Sequence, residues 1–294
     1  MGRLFVTLQY LLPHHLLCRL IYALSRSQRP WLKNALIRSF VRHYRPQMAD
    51  ALESEPTRYP SFNAFFTRAL KPGVRPMPAA EAQLVSPCDG IVGQAGLLAG
   101  DELLQAKGHR YRLQELLATP EAAPQLFRGG HYVTLYLAPY HYHRVHMPLS
   151  GTLRSAWHVP GRLFSVNDAT RARVPRLFAR NERIICLFDG EGGAFAVILI
   201  GALFVGSMST VWHGEITPWH GRAADPAMTR GVRRLEPLGT AQPFQARGAE
   251  LGRFNMGSTV LLLLPPSGRR WQPALALGQG IRLGEPLAAP DRPS

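Results

Sequence analysis

The sequence predicts an α+β protein, with a mainly β core preceded by a helical N-terminal region. Three observations carry this. Beyond residue 90 the apolar residues fall in short runs bounded by Gly and Pro, with few helical periods among them, which is how strands read. Ahead of Asp50 every charged side chain is basic, and these alternate with Leu, Ile, Phe, Tyr and Trp, a mixture that a helix sorts into one apolar and one basic face. Between the two regions stands a Pro/Gly-rich connector, Lys71-Pro72-Gly73-Val74-Arg75-Pro76.

Taken in order, the first segment carries Arg3, Arg19, Arg26, Arg29, Lys33, Arg38, Arg42 and Arg45. An amphipathic helix of this kind lies in the headgroup plane of a membrane, each basic residue contributing roughly 1 kcal/mol near an anionic surface. The alternative is a helical pair packed on the core with its basic face in water. Gln9, Pro13, His14 and His15 interrupt the apolar stretch 4–17, so no run of eighteen residues could span a bilayer, and no signal-peptidase site follows. A short helix is expected over 62–70. Strands are expected at 90–98, 132–137, 144–147, 184–188, 195–205, 208–213 and 259–264, with one helix near 113–118. Residues 214–248, rich in Gly, Pro and Arg, read as a mobile loop or lid.

The net charge of +15, from 34 Lys+Arg against 19 Asp+Glu, favours an anionic partner, either a phospholipid surface or nucleic acid. Lys33, Lys71 and Lys107 are the only lysines, so arginine carries the charge, a residue suited to bidentate phosphate or carboxylate contacts. Cys18, Cys88 and Cys186 are widely spaced without a C-x-x-C, which indicates neither a disulfide framework nor a zinc site and fits a reducing cytoplasm. The G-x-S-x-G, G-x-G-x-x-G and G-x-x-x-x-G-K-[ST] patterns are missing, which weakens lipase, Rossmann and P-loop readings. Nor is a nucleic-acid module recognisable.

The stretch Met256-Gly257-Ser258-Thr259 reads as a self-cleavage site: the Gly257 carbonyl has no Cβ crowding on its acyl side, and the Ser258 hydroxyl lies one bond away. A turn serine ahead of a buried strand is the ordinary alternative. Upstream, Ser86-Pro87-Cys88-Asp89-Gly90 and Tyr142-His143-Arg144-Val145-His146-Met147-Pro148 supply the carboxylate and imidazoles of a Ser-His-Asp relay. Asp89-Gly90 alone could be a turn. His141, His143 and His146 could form a metal cluster, but on an extended segment 143 and 146 point to opposite faces, which suits two separate tasks better than one ion.

With Phe62-Asn63-Ala64-Phe65-Phe66-Thr67-Arg68, Phe164-Ser165-Val166-Asn167, Leu177-Phe178-Ala179-Arg180-Asn181-Glu182-Arg183 and Gly248-Ala249-Glu250-Leu251-Gly252-Arg253-Phe254, these segments resemble the bacterial phosphatidylserine decarboxylase family from about residue 59 onward. The resemblance divides the chain into a basic helical membrane-binding region, 1–58, and a catalytic domain, 59–294. It implies cleavage at Gly257-Ser258 into 1–257 and 258–294, with Ser258 becoming a pyruvoyl group. That group would form a Schiff base with phosphatidylserine and release phosphatidylethanolamine, with no metal and no pyridoxal phosphate. By motif position Asp89 would orient His146, His146 would deprotonate Ser258, and His143 would serve decarboxylation. Phe164 and Asn167 are expected at the lipid entrance, Arg180 near the phosphate, and Cys88 as a buried spectator. The implied partners are phosphatidylserine, an anionic membrane surface on the cytoplasmic side of the inner membrane and the two fragments of the chain, with room for a homodimer and none for nucleic acid. A membrane-associated Ser-His-Asp lipid hydrolase without self-cleavage is the rival.

Overall fold

The computed structural model describes residues 2–80, 83–106, 108–118, 123–204, 207–217, 232–236, 244–267, 271–272 and 275–288. Helices α1 (Gly2–Leu11), α2 (His14–Arg26), α3 (Pro30–Tyr44) and α4 (Phe62–Phe66) precede the strands. In chain order the strands are β1 (Gly90–Leu97), β2 (Glu102–Ala106), β3 (His109–Arg112), β4 (His131–Leu137), β5 (Arg144–His146), β6 (Gly151–Val159), β7 (Arg183–Gly190) and β8 (Gly193–Gly201). There follow β9 (Met208–Thr210), β10 (Gly214–Ile216), β11 (Arg233–Arg234), β12 (Phe244–Gln245), β13 (Glu250–Phe254), β14 (Ser258–Leu264) and β15 (Gly280–Ile281). The α+β class with a mainly β core is therefore the observed one.

The main sheet is antiparallel in the order β11-β6-β7-β8-β14-β4-β1-β15, with β12 also on β6. A smaller sheet, β10-β9-β13-β5, lies beside it, and β2 pairs with β3. Every residue of β14 is buried. A strand covered on both faces needs apolar residues at successive positions, so Val260 to Leu264 form a continuous run instead of an alternation.

Local chemistry explains where the expected elements differ. The helix expected over 62–70 stops at Phe66. The Ser61 hydroxyl caps its start by accepting the Ala64 N–H at 3.1 Å, and its last turn is closed by the Thr67 hydroxyl donating to the Asn63 carbonyl at 2.8 Å. Beyond it the chain turns to pair Leu70 with Ala51. The strand expected over 195–205 ends at Gly201, before Phe204 adopts a left-handed φ of 69°. Met208–Thr210 is shorter than the expected 208–213. Strand β6 escapes a periodicity reading, because its pairing with β7 shifts between Leu153 and Ser155 and because the polar His158 is buried against Glu182 at 2.7 Å. The loop or lid expected over 214–248 falls largely outside the described residues, and its described parts include strands β10, β11 and β12.

The N-terminal helices pack against the rest of the chain. Gln9, fully buried, accepts the Ser165 N–H at 2.7 Å and donates to the Thr170 hydroxyl at 3.2 Å, which accounts for a polar residue inside an apolar stretch. Ile37 of α3 shares a core cluster with Phe62, Phe65 and Phe66. On the outer surface Leu11 and Trp31 stay 78 % and 69 % exposed, with Leu8, Leu16 and Leu20 also open to solvent. Among the described residues no helix is long and apolar enough to cross a membrane.

Candidate active site

Strands β1 and β14 both run antiparallel to β4, so their first residues reach the same end of the sheet on either side of it: Ile91 pairs with Tyr136, and Ser258 with Leu137. At about 4.8 Å per strand, two spacings set the starts of β1 and β14 roughly 10 Å apart. The chain leaving β4 at this end carries Tyr140 to His143 into β5, and the His146 N–H donates to the Pro87 carbonyl at 2.7 Å. Antiparallel pairing thus gathers the three sequence motifs into one neighbourhood.

Ser258 is 1 % exposed and its hydroxyl has no hydrogen-bond partner among the described residues. The chain ahead of it is held firmly. Asn255 donates its amide to the hydroxyls of Ser207 and Ser209, at 2.7 and 3.2 Å, while its carbonyl accepts the Asn63 amide at 3.0 Å. Met256 packs against both apolar clusters. Gly257 has no left-handed φ, and a Cβ placed on it would meet only the Leu137 carbonyl oxygen at 3.8 Å, an ordinary contact. Neither backbone conformation nor packing demands a glycine there.

The two histidines differ in what their rings touch. His146 Nδ1 lies 2.8 Å from the Gly248 carbonyl, which can only accept, so the proton sits on Nδ1 and Nε2 is the acceptor. That acceptor takes the Tyr142 hydroxyl at 3.0 Å. Burial lowers the His146 pKa, against opposing pulls from the Gly248 carbonyl, Glu250 and Asp89, while burial raises that of Tyr142. His143 Nδ1 likewise donates to the His141 carbonyl at 2.9 Å, and its ring lies on Phe66 with centroids 4.0 Å apart. Its Nε2 is buried without a partner among the described residues. Burial first, and then the positive charge of Arg68, hold the His143 pKa well below the usual histidine value.

The carboxylate of Asp89 accepts from Arg75, Nε to Oδ1 at 2.9 Å and Nη2 to Oδ2 at 2.7 Å, and from the Leu283 N–H at 2.9 Å. Arg75 also reaches Asp50 at 2.8 Å. The segments of Asp89 and His146 are thus adjacent, but their side chains hold different partners, and Asp89 acts on His146 through its charge. Phe164 is fully buried, its ring 4.9 Å from Tyr10 and 5.4 Å from His14. Asn167 caps the turn 168–171 by accepting the Thr170 N–H at 3.0 Å. Arg180 lies over the rings of Tyr10 and Phe164, and Cys88 is buried with its thiol pKa pushed well up. Among the described residues no group of three or more His, Cys, Asp or Glu could hold a metal ion.

Arg75, Tyr142 and Arg68 belong to this neighbourhood, and sequence reasoning did not single them out as site residues. Arg75 lay inside a segment read as a connector, and Tyr142 and Arg68 lay within the quoted motifs without chemistry of their own. Only the Tyr142 to His146 spacing offered a local cue.

A family model described as phosphatidylserine decarboxylase matches residues 62–289, and a second, described only as PSD, matches residues 4–45. A protein of Methylococcus capsulatus bearing the name phosphatidylserine decarboxylase proenzyme is 48 % identical over 287 residues, covering 98 % of this chain and 96 % of that protein. Proteins of the same name from Pseudomonas putida strain GB-1 and Azotobacter vinelandii are 47 % and 48 % identical. Each alignment covers 98 % of the relative, and 98 % and 97 % of this chain respectively.

Proposed function

The chain belongs to the phosphatidylserine decarboxylase family, and from that premise we propose that it converts phosphatidylserine to phosphatidylethanolamine with a carbonyl made from its own Ser258. The observation that carries this reading is the pairing of a fully buried Ser258 hydroxyl, without a partner among the described residues, with a glycine that neither packing nor backbone requires. A hydroxyl buried without a hydrogen bond costs roughly 1–3 kcal/mol, which is tolerated where the group has another task.

Maturation follows from these atoms. The Ser258 hydroxyl adds to the Gly257 carbonyl and the peptide nitrogen departs, turning the amide into an ester. Loss of the Ser258 α-proton then breaks the Cβ–O bond, so Gly257 leaves as a carboxylate and residue 258 becomes a dehydroalanine. Tautomerisation and hydrolysis release ammonia and leave a pyruvoyl group at 258, one water being consumed overall. The residues present fit that group, since the change turns the Ser258 hydroxymethyl, whose oxygen has no partner among the described residues, into a methyl, while Leu137 and Gly201 flank position 258 through backbone pairing. When formed, the ketone supplies the electron sink that a carbon losing carbon dioxide requires.

In this reading His146 takes the Ser258 proton on Nε2. Gly248 fixes the tautomer that leaves Nε2 an acceptor, and Tyr142 has to release it first. Asp89 favours the imidazolium that results. His143, neutral and lying on Phe66, serves decarboxylation by meeting the carboxylate without a positive charge that would hold it. A second reading gives the first task to His143, because its Nε2 is bare where that of His146 is occupied. Phe164 and Asn167 shape the wall behind the helices, and the exposed apolar face of α1 to α3 rests on the anionic cytoplasmic surface of the inner membrane. The intact mass of the purified protein under denaturing conditions tests the central claim. Fragments 1–257 and 258–294, the second lighter than its sequence by the change from serine to pyruvoyl, are expected; a fully active single chain would mean that a persistent serine nucleophile does the work.

A further inference from the structure

Arg68 is 3 % exposed, yet its Nε and Nη1 have no hydrogen-bond partner among the described residues. Its remaining nitrogen, Nη2, makes among the described residues only long contacts of 3.4 Å, to the carbonyls of Tyr140 and His141. Burial lowers its pKa, as expected for a cation short of partners. A guanidinium removed from water with most of its donors idle is a costly arrangement, which the fully buried Arg183 avoids by spending its donors on the carbonyls of Glu115, Leu116, Ala179 and Asn181 at 2.6 to 3.0 Å. Arg68 faces a cavity of about 480 Å³, a volume typical of small-ligand sites. Arg45, Arg75 and Arg282 also line it, against the carboxylates of Asp89 and Glu285. Gly90 and Tyr140 to Tyr142 form the wall, which places the cavity at the end of the sheet where Ser258 begins β14.

We propose that Arg68 is the anchor for the phosphodiester of the substrate headgroup, held in this cavity while the serine moiety reaches position 258. The proposal rests on the function proposed above. Two anionic groups of the substrate could take the guanidinium, and the chemistry chooses between them. The phosphodiester keeps its charge throughout the reaction, so a cation on it binds ground state and transition state alike. The serine carboxylate must lose its charge as carbon dioxide leaves, and a guanidinium on it would stabilise the state to be left. Arginine also matches two phosphate oxygens with two parallel N–H donors, Nε with Nη2 or Nη1 with Nη2, and here Nε and Nη1 are idle while Nη2 is held only at 3.4 Å.

The experiment uses the full chain carrying Ser258→Ala, so that binding is read without turnover, and calorimetry with four probes: glycerophosphoserine, glycerophosphoethanolamine, free serine and inorganic phosphate. The two phosphodiesters are expected to bind within about threefold of each other, and serine and inorganic phosphate at least about tenfold more weakly. Adding Arg68→Gln should weaken both phosphodiesters by at least about tenfold, and Arg68→Lys by less, since it keeps the charge and loses the fork. Serine binding as well as glycerophosphoethanolamine would move the anchor to the carboxylate and overturn the proposal. So would inorganic phosphate binding equally, which marks a free-phosphate site, or Arg68→Gln binding undiminished. If Arg68→Gln does not fold, the ranking of the four probes and the Arg68→Lys variant still decide. A parent chain that never cleaves would count against the proposed function, and these binding results would stand apart from it.

Discussion

Arg75 closes on both oxygens of the Asp89 carboxylate, its Nε and Nη2 donating at 2.9 and 2.7 Å with both side chains about nine-tenths buried. Removing one member of such a pair strands the other, at a cost of about 3–5 kcal/mol, whereas removing both is far milder. Arg75→Gln is therefore expected to lower the melting temperature more than the double variant Arg75→Gln/Asp89→Asn does. Cleavage should respond differently, since the double variant and Asp89→Asn alone should both stay largely uncut. Thermal denaturation beside a denaturing gel separates the two effects, and purely additive melting shifts would mean the pair is not coupled.

His146→Ala and Ser258→Ala are expected to leave the chain uncut, while His143→Ala cuts and decarboxylates poorly. Tyr142→Phe removes the hydroxyl that occupies His146 Nε2, so it should mature at least as fast as the parent. Pulse-chase gels give the rates. If His143→Ala blocks cleavage and His146→Ala matures, the bare nitrogen of His143 is the base and the two assignments exchange.

Acid should act on stability before it acts on the chemistry. Both site histidines have their pKa lowered by burial, so the unfolded chain binds more protons than the folded one once the pH drops below the ordinary histidine value of about 6.5. Folding stability is therefore full above that value and declines as the pH falls toward the lowered native pKa values. The cleavage rate, which needs neutral His146, should stay level down to about pH 6.5 and below. His143→Gln should show a shallower acid decline of the melting temperature than the parent, and an equal slope would remove His143 as its source.

The outer face of α1 to α3 can be tested without disturbing the core. Because Ile37 and Gln9 are buried against the rest of the chain, deleting the helices would uncover Phe62, Phe65 and Phe66 and confuse binding with unfolding. Replacing the exposed Leu11, Leu16 and Trp31 with Ser should instead leave cleavage unchanged and weaken sedimentation with anionic vesicles. Raising the salt should reduce parent binding only in part, since charge contacts are screened over about 8 Å at physiological ionic strength while apolar burial is not. Undiminished sedimentation of the triple variant would place the membrane contact elsewhere.

Much of this candidate site was legible in the sequence because the proposed chemistry depends on residue types held close along the chain: glycine before serine at 257–258, an aspartate before glycine at 89–90, and two histidines three apart. The fold class was legible for a similar reason, since strands such as 131–137 and 258–264 are marked by their own runs of Val and Leu. What pairs with what was not. The Arg75 clamp on Asp89 and the Asn63 contact to Asn255 join residues that only the folded chain brings together, and no period or motif encodes such a partnership. Strand β6 was hidden by a register shift and a buried His158, and α4 proved shorter than expected because Thr67 closes it with its own hydroxyl.

Because β14 sits in the middle of the sheet, with β8 on one side and β4 on the other, cutting the chain just before it creates a new end without creating a new surface. The released segment keeps its hydrogen bonds and its buried leucines, so the two pieces separate only when the sheet itself comes apart. Folding before the cut is a one-chain event; folding after it is an encounter between two chains, slowed by dilution and lacking the tether that set the register. The enzyme is thus assembled once. Denaturant should reveal this as hysteresis, with the uncut Ser258→Ala chain recovering its fold on dilution and the mature protein failing to retrace its path.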